Sequence, residues 1–580
     1  MSFGNSRLRG AALATFAVTL LATGPLAGLA PRAAAQTLGG KKPIAIVSIA
    51  SINEILGDVN YVMTAADMKD LAPMVPGLAG QFTAGIDRTR PIGFVATMGV
   101  NEEKPEVLGF VPVTNLDQFL GLFEQQIGTG TDVGGGVKRF DAADEPVFVK
   151  QVGGWAFIAN KQDLLADLPA DPTPWLQGLD KEYEIAFRWL VQNVPAEYRK
   201  MAIQGLQQGV NEALAEMDDD PDLENVDVDA LKKLIRNQVA GIEQKINETQ
   251  DVTLGLAINS QTKSIYVDLG ATAVPGTGSA RQMNALKDTT TRFAGILDPD
   301  AAVAAHMAMT LSDDDVSEMK TLMQSVRVNA LRELEKDEDI PAEKMGAAKS
   351  IVGKLFDVID ATLDTGKVDG GFAMLMGAKE FRVASVGQIA DGAALEQLMK
   401  EMAEMLEGEP DFPGVKWSIA SEGAVTFHAM QAPVEEEDEK NIFGDTVTIV
   451  FGIGPDVAMM AVAADADSGV ATLKKITADS AAATGQTVPP LQVSIALSPM
   501  IKFAASVDDD PELQAALPLF EGIEGNDHIS LTMKPVNNGF VLRLEVEDGL
   551  LQVAGKAVKA AMSAGGPGAG PPLGEFDDGF

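Results

Sequence analysis

Short runs of alternating or near-continuous apolar residues come in pairs along the chain, and tight turns separate the members of each pair. Pro146 to Val152 with Trp155 to Ala159, and Thr446 to Gly452 with Ala458 to Ala463, show the pattern clearly. The Gly153–Gly154 link suits a hairpin between antiparallel strands. Segments with helical spacing fall between the pairs and not after every strand. The pattern predicts an α+β fold, with helices packed on one face of a mainly antiparallel sheet.

The order of these elements repeats along the chain. Gly93 to Met98 (GFVATM) and Gly371 to Met376 (GFAMLM) are predicted strands, and each is followed by a charged turn, a second strand and an amphipathic helix. A second match pairs Asp218 to Leu223 (DDDPDL) with Asp508 to Leu513 (DDDPEL), each of which precedes another predicted strand pair. The repeat therefore indicates an internal duplication.

The matching order predicts two homologous halves, residues 41–297 and 298–562. Each half is predicted to be one unit of sheet and helices, and the two units can join into a pseudo-symmetric body. Chance similarity among common strand–helix patterns is the alternative interpretation. The first half has an extra helical stretch at residues 195–249, and the second has an acidic loop at residues 435–440. Residues 563–580 are rich in glycine and proline, and we predict a disordered tail there.

The amino-terminal segment has the features of a secretory signal peptide. Two arginines precede the apolar run from Ala11 to Leu21, and small residues up to Ala35 suit a cleavage site. A Gly-Pro pair at residues 24–25 interrupts the run before it reaches the roughly 20 residues that a spanning helix needs, which argues against an uncleaved anchor. We predict that residues 1–35 are removed and that the protein is exported, to the periplasm or outside the cell, without a stable membrane span.

The composition limits the partners that the protein can bind and the kinds of site that it can form. The chain has 580 residues, a net charge of −38, three histidines and no cysteine. Binding to nucleic acid or to anionic lipid surfaces needs clustered Lys and Arg, so we expect no nucleic-acid partner. The absence of cysteine excludes disulfides, thiolate metal sites and cysteine nucleophiles.

The histidines give little support for catalysis. His306, His428 and His528 lie in separate predicted strands of the second half, without the spacing of a metal-binding pair. We interpret them as ordinary core or surface residues. A Ser-His-Asp arrangement is spatial and stays open, but no G-x-S-x-G elbow supports one.

Three aspartate runs are the polar clusters that we considered as cation sites: Asp218 to Asp222, Asp313 to Asp315 and Asp508 to Asp510. Calcium prefers oxygen ligands, but the runs lack the alternate spacing of a calcium-binding loop. Helix capping is the favoured interpretation, since acidic residues complement a helix amino terminus and Pro221 and Pro511 suit a first turn. We assign no metal ligand, no cofactor and no catalytic residue.

Two sets of large side chains have the spacing to line a pocket, although ordinary packing explains both. The aromatic set of the first half comprises Trp175, Tyr183, Trp189 and Tyr198. Methionines recur on one side of a predicted helix in the second half, at Met399, Met402 and Met405. Flexible, polarisable methionines suit an adaptable apolar groove as well as a core.

One recurring pattern carries a resemblance. VPVTNLDQFL (from Val111) leads into a helix, and GGWAFIANKQDLL (from Gly153) follows as a hairpin. In this pattern and in its signal segment, the chain resembles uncharacterised exported proteins of planctomycete-type bacteria. The resemblance covers much of the chain and implies export, but it transfers no functional residue.

We therefore predict an exported, non-enzymatic binding or scaffold protein of the bacterial envelope, with an unknown protein or an apolar ligand as its partner. One alternative is a carrier or chaperone for apolar ligands, held in a cavity between the sheet and the helices. A second alternative is a hydrolase that uses carboxylates or a serine.

Overall fold

The computed structural model describes residues 37–564, apart from residues 71, 101, 103, 125–127, 142–144, 217–227, 337–339, 378–379, 409–411, 436 and 524. The predicted signal peptide, residues 1–35, lies outside the described residues. The same is true of residues 565–580 of the predicted tail.

The strands form one 20-stranded sheet. The strands of the first half are β1 (Pro43–Ile49), β2 (Ile92–Thr97), β3 (Glu106–Pro112), β4 (Thr131–Asp132), β5 (Val137–Asp141), β6 (Pro146–Val152), β7 (Trp155–Ala159), β8 (Ile185–Trp189), β9 (Thr249–Asn259) and β10 (Ser264–Ala273). Those of the second half are β11 (Val303–Thr310), β12 (Lys367–Gly377), β13 (Glu380–Gln388), β14 (Val415–Glu422), β15 (Val425–Pro433), β16 (Thr446–Gly454), β17 (Val457–Ala463), β18 (Leu491–Ala496), β19 (His528–Val536) and β20 (Gly539–Glu547).

Both halves place their strands in the same spatial order. The first half runs β4–β5–β6–β7–β3–β2–β1–β8–β9–β10, with every pairing antiparallel. The second half runs β14–β15–β16–β17–β13–β12–β11–β18–β19–β20, again antiparallel throughout. The two series join through β10 and β20, so the strands of the two halves form one continuous sheet. Descent of the halves from one ancestor stays a prediction.

The helices fall between strands that are close in sequence, as the pattern predicts. They are α1 (Ile52–Ala65), α2 (Met74–Phe82), α3 (Leu116–Gly121), α4 (Ala196–Glu216), α5 (Val228–Glu248), α6 (Gly278–Ala285), α7 (Asp313–Lys336), α8 (Ala342–Asp364), α9 (Gly392–Leu406), α10 (Glu437–Phe443), α11 (Ala466–Ala482), α12 (Leu497–Val507), α13 (Pro511–Ala516) and α14 (Asp548–Ala564). The predicted extra stretch of the first half forms α4 and α5, at the position that α12 and α13 occupy in the second half. The predicted acidic loop includes α10, and the chain continues as helix α14 through Ala564.

The two faces of the sheet are distinct, since side chains alternate between them and paired residues share a face. We call the face that bears Phe187, Leu544 and Phe372 the front face, and the other the back face. The main core of the first half is on the back face and includes Phe110 and Trp155. In the second half, α11 also packs on the back face, whereas α8 and α9 cover the front face. The α+β class with a large antiparallel sheet is confirmed, but helices pack on both faces and not on one.

Candidate apolar-ligand site

The front face of the strands around the junction is apolar and poorly covered. Register places side chains of β8, β9, β10 and β20 side by side on this face. Leu254 is 48% exposed and Leu544 is 45% exposed. We call this surface the central strip, and its exposed members are Ile185, Phe187, Trp189, Leu254, Val267, Leu269 and Leu544.

The back face of the same strands is buried, and it carries charged and polar side chains among apolar residues of the core. Arg188 and Thr253 are paired across β8 and β9, and the Arg188 Nε donates to the Thr253 hydroxyl at 2.8 Å. Asp268 is only 2% exposed. An antiparallel sheet with one solvated face normally turns its polar residues outward. The arrangement is reversed here, so the central strip is a surface on which cover by an apolar molecule removes much apolar area from water.

A cavity of about 550 Å³ lies between α8, α9 and the front face of β13, β16 and β17. Its volume falls in the range of pockets that hold one small molecule, about 300–1,000 Å³. The lining side chains from the helices are Ile351, Leu355, Leu395, Leu398, Met399 and Met402. The sheet contributes front-facing residues that include Ser385, Gly387, Phe451 and Met460. Leu355 and Met402 are each 42% exposed, so the cavity is a half-open apolar groove with a floor of sheet and a cover of two helices.

Helix α9 sets the roof of the cavity. Asp391 caps the helix, and its Oδ1 accepts a hydrogen bond from the Ala394 N–H at 2.9 Å. Gly392 begins the helix directly against the Gly454 carbonyl at the end of β16, where a β-carbon would overlap that oxygen. Met399 and Met402 then line the cavity, whereas Met405 is not part of the lining. Of the three methionines with three-residue spacing, two therefore line the cavity and one does not.

The cavity and the central strip belong to one continuous apolar surface. Cross-strand pairs connect Ser385 to Phe372, Phe372 to Ala305 and Ala305 to Val493. The same row continues through Leu531 to Leu544. Paired residues share a face, so this row leads from the floor of the cavity to the strip.

His428 lies beside the cavity on the front face of β15, paired with Phe451. It is fully buried, its Nδ1 accepts from the Ser418 N–H at 3.0 Å, and its ring contacts Trp417 edge-on at 5.0 Å. Its Nε2 has no hydrogen-bond partner among the described residues. Burial lowers the pKa of His428; the Glu396 carboxylate opposes this shift and the Lys400 ammonium reinforces it. The neutral imidazole therefore extends the apolar surroundings of the cavity.

The buried His428 predicts that stability falls on acidification. Because its pKa is lower in the folded state than the unfolded value of 6.5, the unfolded state binds more protons below that pH. Stability should therefore decrease as pH falls from 7 towards 5, by up to about 1.4 kcal/mol per pH unit. Urea unfolding of wild type and His428→Gln, compared at each pH, should show a weaker pH dependence in the variant. Parallel curves would contradict the prediction.

The other two histidines make structural contacts. His306 Nε2 is 2.8 Å from the Thr291 hydroxyl, which also lies 2.6 Å from the Asp369 carboxylate. The same Nε2 also lies 3.5 Å from the Asp369 carboxylate, whereas in a catalytic triad the two imidazole nitrogens contact different partners. His306 and Thr291 are both buried. His528 Nδ1 lies 2.9 Å from Glu547, next to the junction of the halves. This geometry gives the hydrolase alternative no support.

A buried ion pair crosses the junction on the back face. Arg543 on β20 contacts both oxygens of Asp268 on β10 at 2.8 Å, and its guanidinium lies 3.5 Å from the centre of the Tyr266 ring. The Tyr183 hydroxyl donates to the same carboxylate at 3.1 Å. Burial, and next the Asp268 charge, raises the pKa of Tyr183, so this phenol stays protonated. The cluster fixes the two halves to each other and faces away from the cavity.

The aspartate runs that the structure describes act as helix caps. The Asp510 side chain accepts from the Glu512 N–H at 2.8 Å, with Pro511 as the first residue of α13. Ser312 accepts from the Asp315 N–H at 3.2 Å, and the Asp315 carboxylate accepts from the Ser312 N–H in return. The run at residues 218–222 lies outside the described residues. Among the residues that are described, no group of three or more acidic or histidine side chains has the geometry to bind a metal ion.

The aromatic set of the first half does not form a pocket. Trp175 and Tyr183 are buried in the back-face core, whereas Trp189 is exposed on the central strip. The Tyr198 hydroxyl donates to the Glu102 carbonyl at 2.6 Å. The structure therefore separates these residues between the two faces of the sheet and helix α4.

Comparison with known proteins adds little. No protein-family model matches the chain, and no curated protein sequence matches it. One solved structure, described as crystal form I of TP0453, is 11% identical, covers 43% of this chain and 82% of its own, and has a TM-score of 0.20. Within the described residues, no helix has both the length and the apolar composition that crossing a membrane requires.

Proposed function

We propose that the protein is an exported, non-enzymatic carrier that binds an apolar molecule in the cavity beneath α8 and α9. The observation that carries this proposal is the apolar cavity of about 550 Å³ between helices and sheet. Among the functions that the sequence left open, this arrangement favours the carrier alternative over a scaffold without a ligand. The amino-terminal signal pattern supports export.

Physical chemistry supports an apolar occupant. Each buried methylene contributes about 0.8 kcal/mol, so a ligand that fills an apolar pocket binds without a dedicated polar group. Methionine side chains adapt to ligands of different shape, and Met399, Met402 and Met460 line this pocket. The net charge of −38 disfavours ligands with a negative charge.

Native mass spectrometry of the protein, purified from its own host, tests the proposal directly. Spectra are compared before and after extraction with an organic solvent. We expect an added mass of a few hundred daltons that extraction removes. A bare polypeptide mass, together with failure to bind a neutral apolar dye, would overturn the proposal.

A substitution inside the cavity should weaken dye binding. Gly387 lines the cavity, and a β-carbon at this position meets no atom within 4 Å. We expect Gly387→Leu to fill the space and to weaken binding of phenylnaphthylamine, an uncharged dye, at least tenfold, because about 1.4 kcal/mol of lost apolar contact has that effect. Dye fluorescence titration measures the change.

Gly205→Leu is the matched control. Gly205 lies on α4, and a β-carbon at this position also has no atom within 4 Å. This variant adds the same side chain outside the cavity and should bind the dye as wild type does. Equal affinity in all three proteins would place the dye elsewhere.

A further inference from the structure

We propose that the natural ligand is a lipid with two alkyl chains and no net negative charge, one chain in the cavity and the second along the front face towards the central strip. This inference rests on the proposed carrier function and adds the class of ligand and a second binding surface. Its basis is the continuity of the two apolar surfaces together with the exposure of the strip.

The front-face row gives the second chain its path. From Ser385 the row crosses five strand spacings through Phe372, Ala305, Val493 and Leu531 to Leu544. At about 4.8 Å per spacing it extends for about 24 Å, which suits an extended long alkyl chain. Met307, on the same face of β11, is also exposed beside the row. A molecule with a single chain that fills the cavity leaves the exposed side chains of Phe372, Met307 and Leu544 in water.

The proposal of two alkyl chains follows from the different shapes of the cavity and of the uncovered sheet surface. The cavity is roofed by α8 and α9 and has the volume of a pocket for one small ligand. The row outside it is an exposed sheet surface without such a roof at Phe372 or Leu544. Two alkyl chains attached to one headgroup can occupy the groove under the helices and the uncovered sheet surface at the same time.

The net negative charge of the protein favours a lipid over the other molecules that could cover the central strip. A second copy of the chain would bring another net charge of −38 to the same surface, and this repulsion opposes face-to-face association. An anionic membrane surface is disfavoured for the same reason. A single lipid molecule with a zwitterionic or neutral headgroup covers the strip without either cost.

The test compares two lipids with the same headgroup. The full-length mature protein is incubated with vesicles of dioleoyl phosphatidylcholine or with oleoyl lysophosphatidylcholine, separated by size exclusion, and analysed for retained lipid by mass spectrometry. We expect wild type to retain one molecule of either lipid. Met307→Asp and Leu544→Asp should lower retention of the two-chain lipid at least tenfold and leave the single-chain lipid unchanged.

Val326→Asp is the matched control, because Val326 is similarly exposed but lies on α7. It adds the same charge and should retain both lipids as wild type does. Thermal melting of each variant checks that it is folded, and the retained single-chain lipid provides an independent check of the cavity.

The outcomes separate the two proposals. Retention of neither lipid by wild type would remove the carrier function itself. Retention of the single-chain lipid alone, or equal retention of the two-chain lipid by the strip variants, would overturn the second surface and leave the cavity in place. Protein that co-elutes with intact vesicles, or a wild-type dimer that Leu544→Asp converts to a monomer, would assign the strip to a membrane or to a second copy instead.

Discussion

Arg543→Met should loosen the junction between the two halves more than any other single charge removal that we propose. Asp268 would be left buried without its guanidinium partner, and the loss of one member of a buried ion pair costs about 3–5 kcal/mol. Among the described strands, only β10 and β20 join the two series through backbone pairing. We therefore expect amide hydrogen exchange in these two strands to accelerate by roughly a hundredfold to a thousandfold, whereas the outer strands change little.

Arg292→Met is the matched control for this experiment. Arg292 also makes a two-pronged contact with an aspartate, Asp456, at 2.6 and 2.8 Å, but about half of each side chain is exposed. Exposed pairs contribute about 0–1 kcal/mol, so exchange near Asp456 should change by less than about tenfold. If Arg543→Met had no larger effect than Arg292→Met, the buried pair would not fix the junction.

Gly392→Val should displace helix α9 and remove the cavity. The new β-carbon would overlap the Gly454 carbonyl, and backbone cannot yield as a flexible side chain does. Forcing extra atoms into a packed site costs about 1–3 kcal/mol, and we expect about 3 kcal/mol here because the obstacle is a backbone oxygen. Since α9 carries Leu395, Leu398 and Met399 into the lining, binding of the uncharged dye should be lost together with stability.

Gly346→Val separates displacement from a general effect of valine in a helix. Gly346 lies on α8, the other helix of the roof, and a β-carbon there has no atom within 4 Å. This variant should melt near the wild-type temperature and bind the dye normally. Normal dye binding by Gly392→Val would show that α9 does not determine the shape of the cavity.

Local features of the fold followed from the sequence because their causes are local. Ser51 begins α1 with the reciprocal hydrogen bonds of a capping box to Glu54. Gly153 and Asn538 occupy the left-handed conformations that their tight turns require, with φ of 58° at each. Alternation of apolar and polar residues likewise predicted the bounds of most strands to within one or two residues.

The pairing of distant strands did not follow from the sequence. Asp268 and Arg543 are far apart in the chain, and alternation does not determine which strand lies beside β10. The repeat predicted one unit of sheet and helices in each half, but it did not identify the two strands through which the units join. Helices on both faces were also missed, because the spacing of apolar residues in α11 and α9 identifies a buried side and not the face of the sheet that it meets.

The candidate site was visible in part. Spacing identified Met399 and Met402 on one side of a helix, but a core and a groove have the same spacing. The central strip was not expected, because alternation in β9 and β20 predicts that apolar residues are the covered ones. Leu254 and Leu544 are exposed on the front face, whereas Asp268 is buried on the back face. Only the tertiary structure shows that the apolar side is the exposed one.

The meeting of β10 with β20 also has a consequence for biosynthesis. β10 completes the first half, but its partner β20 is almost the last segment to be made. At about 5–20 residues per second, roughly 15–50 s pass before β20 exists. Through that interval β10 is an edge strand with unpaired backbone groups, beside an apolar surface, and such edges recruit strands from other chains. Chains that have folded the first half before β20 is available are thus each other's nearest wrong partners. Conditions that delay folding of the second half should therefore raise the yield of strand-swapped aggregates.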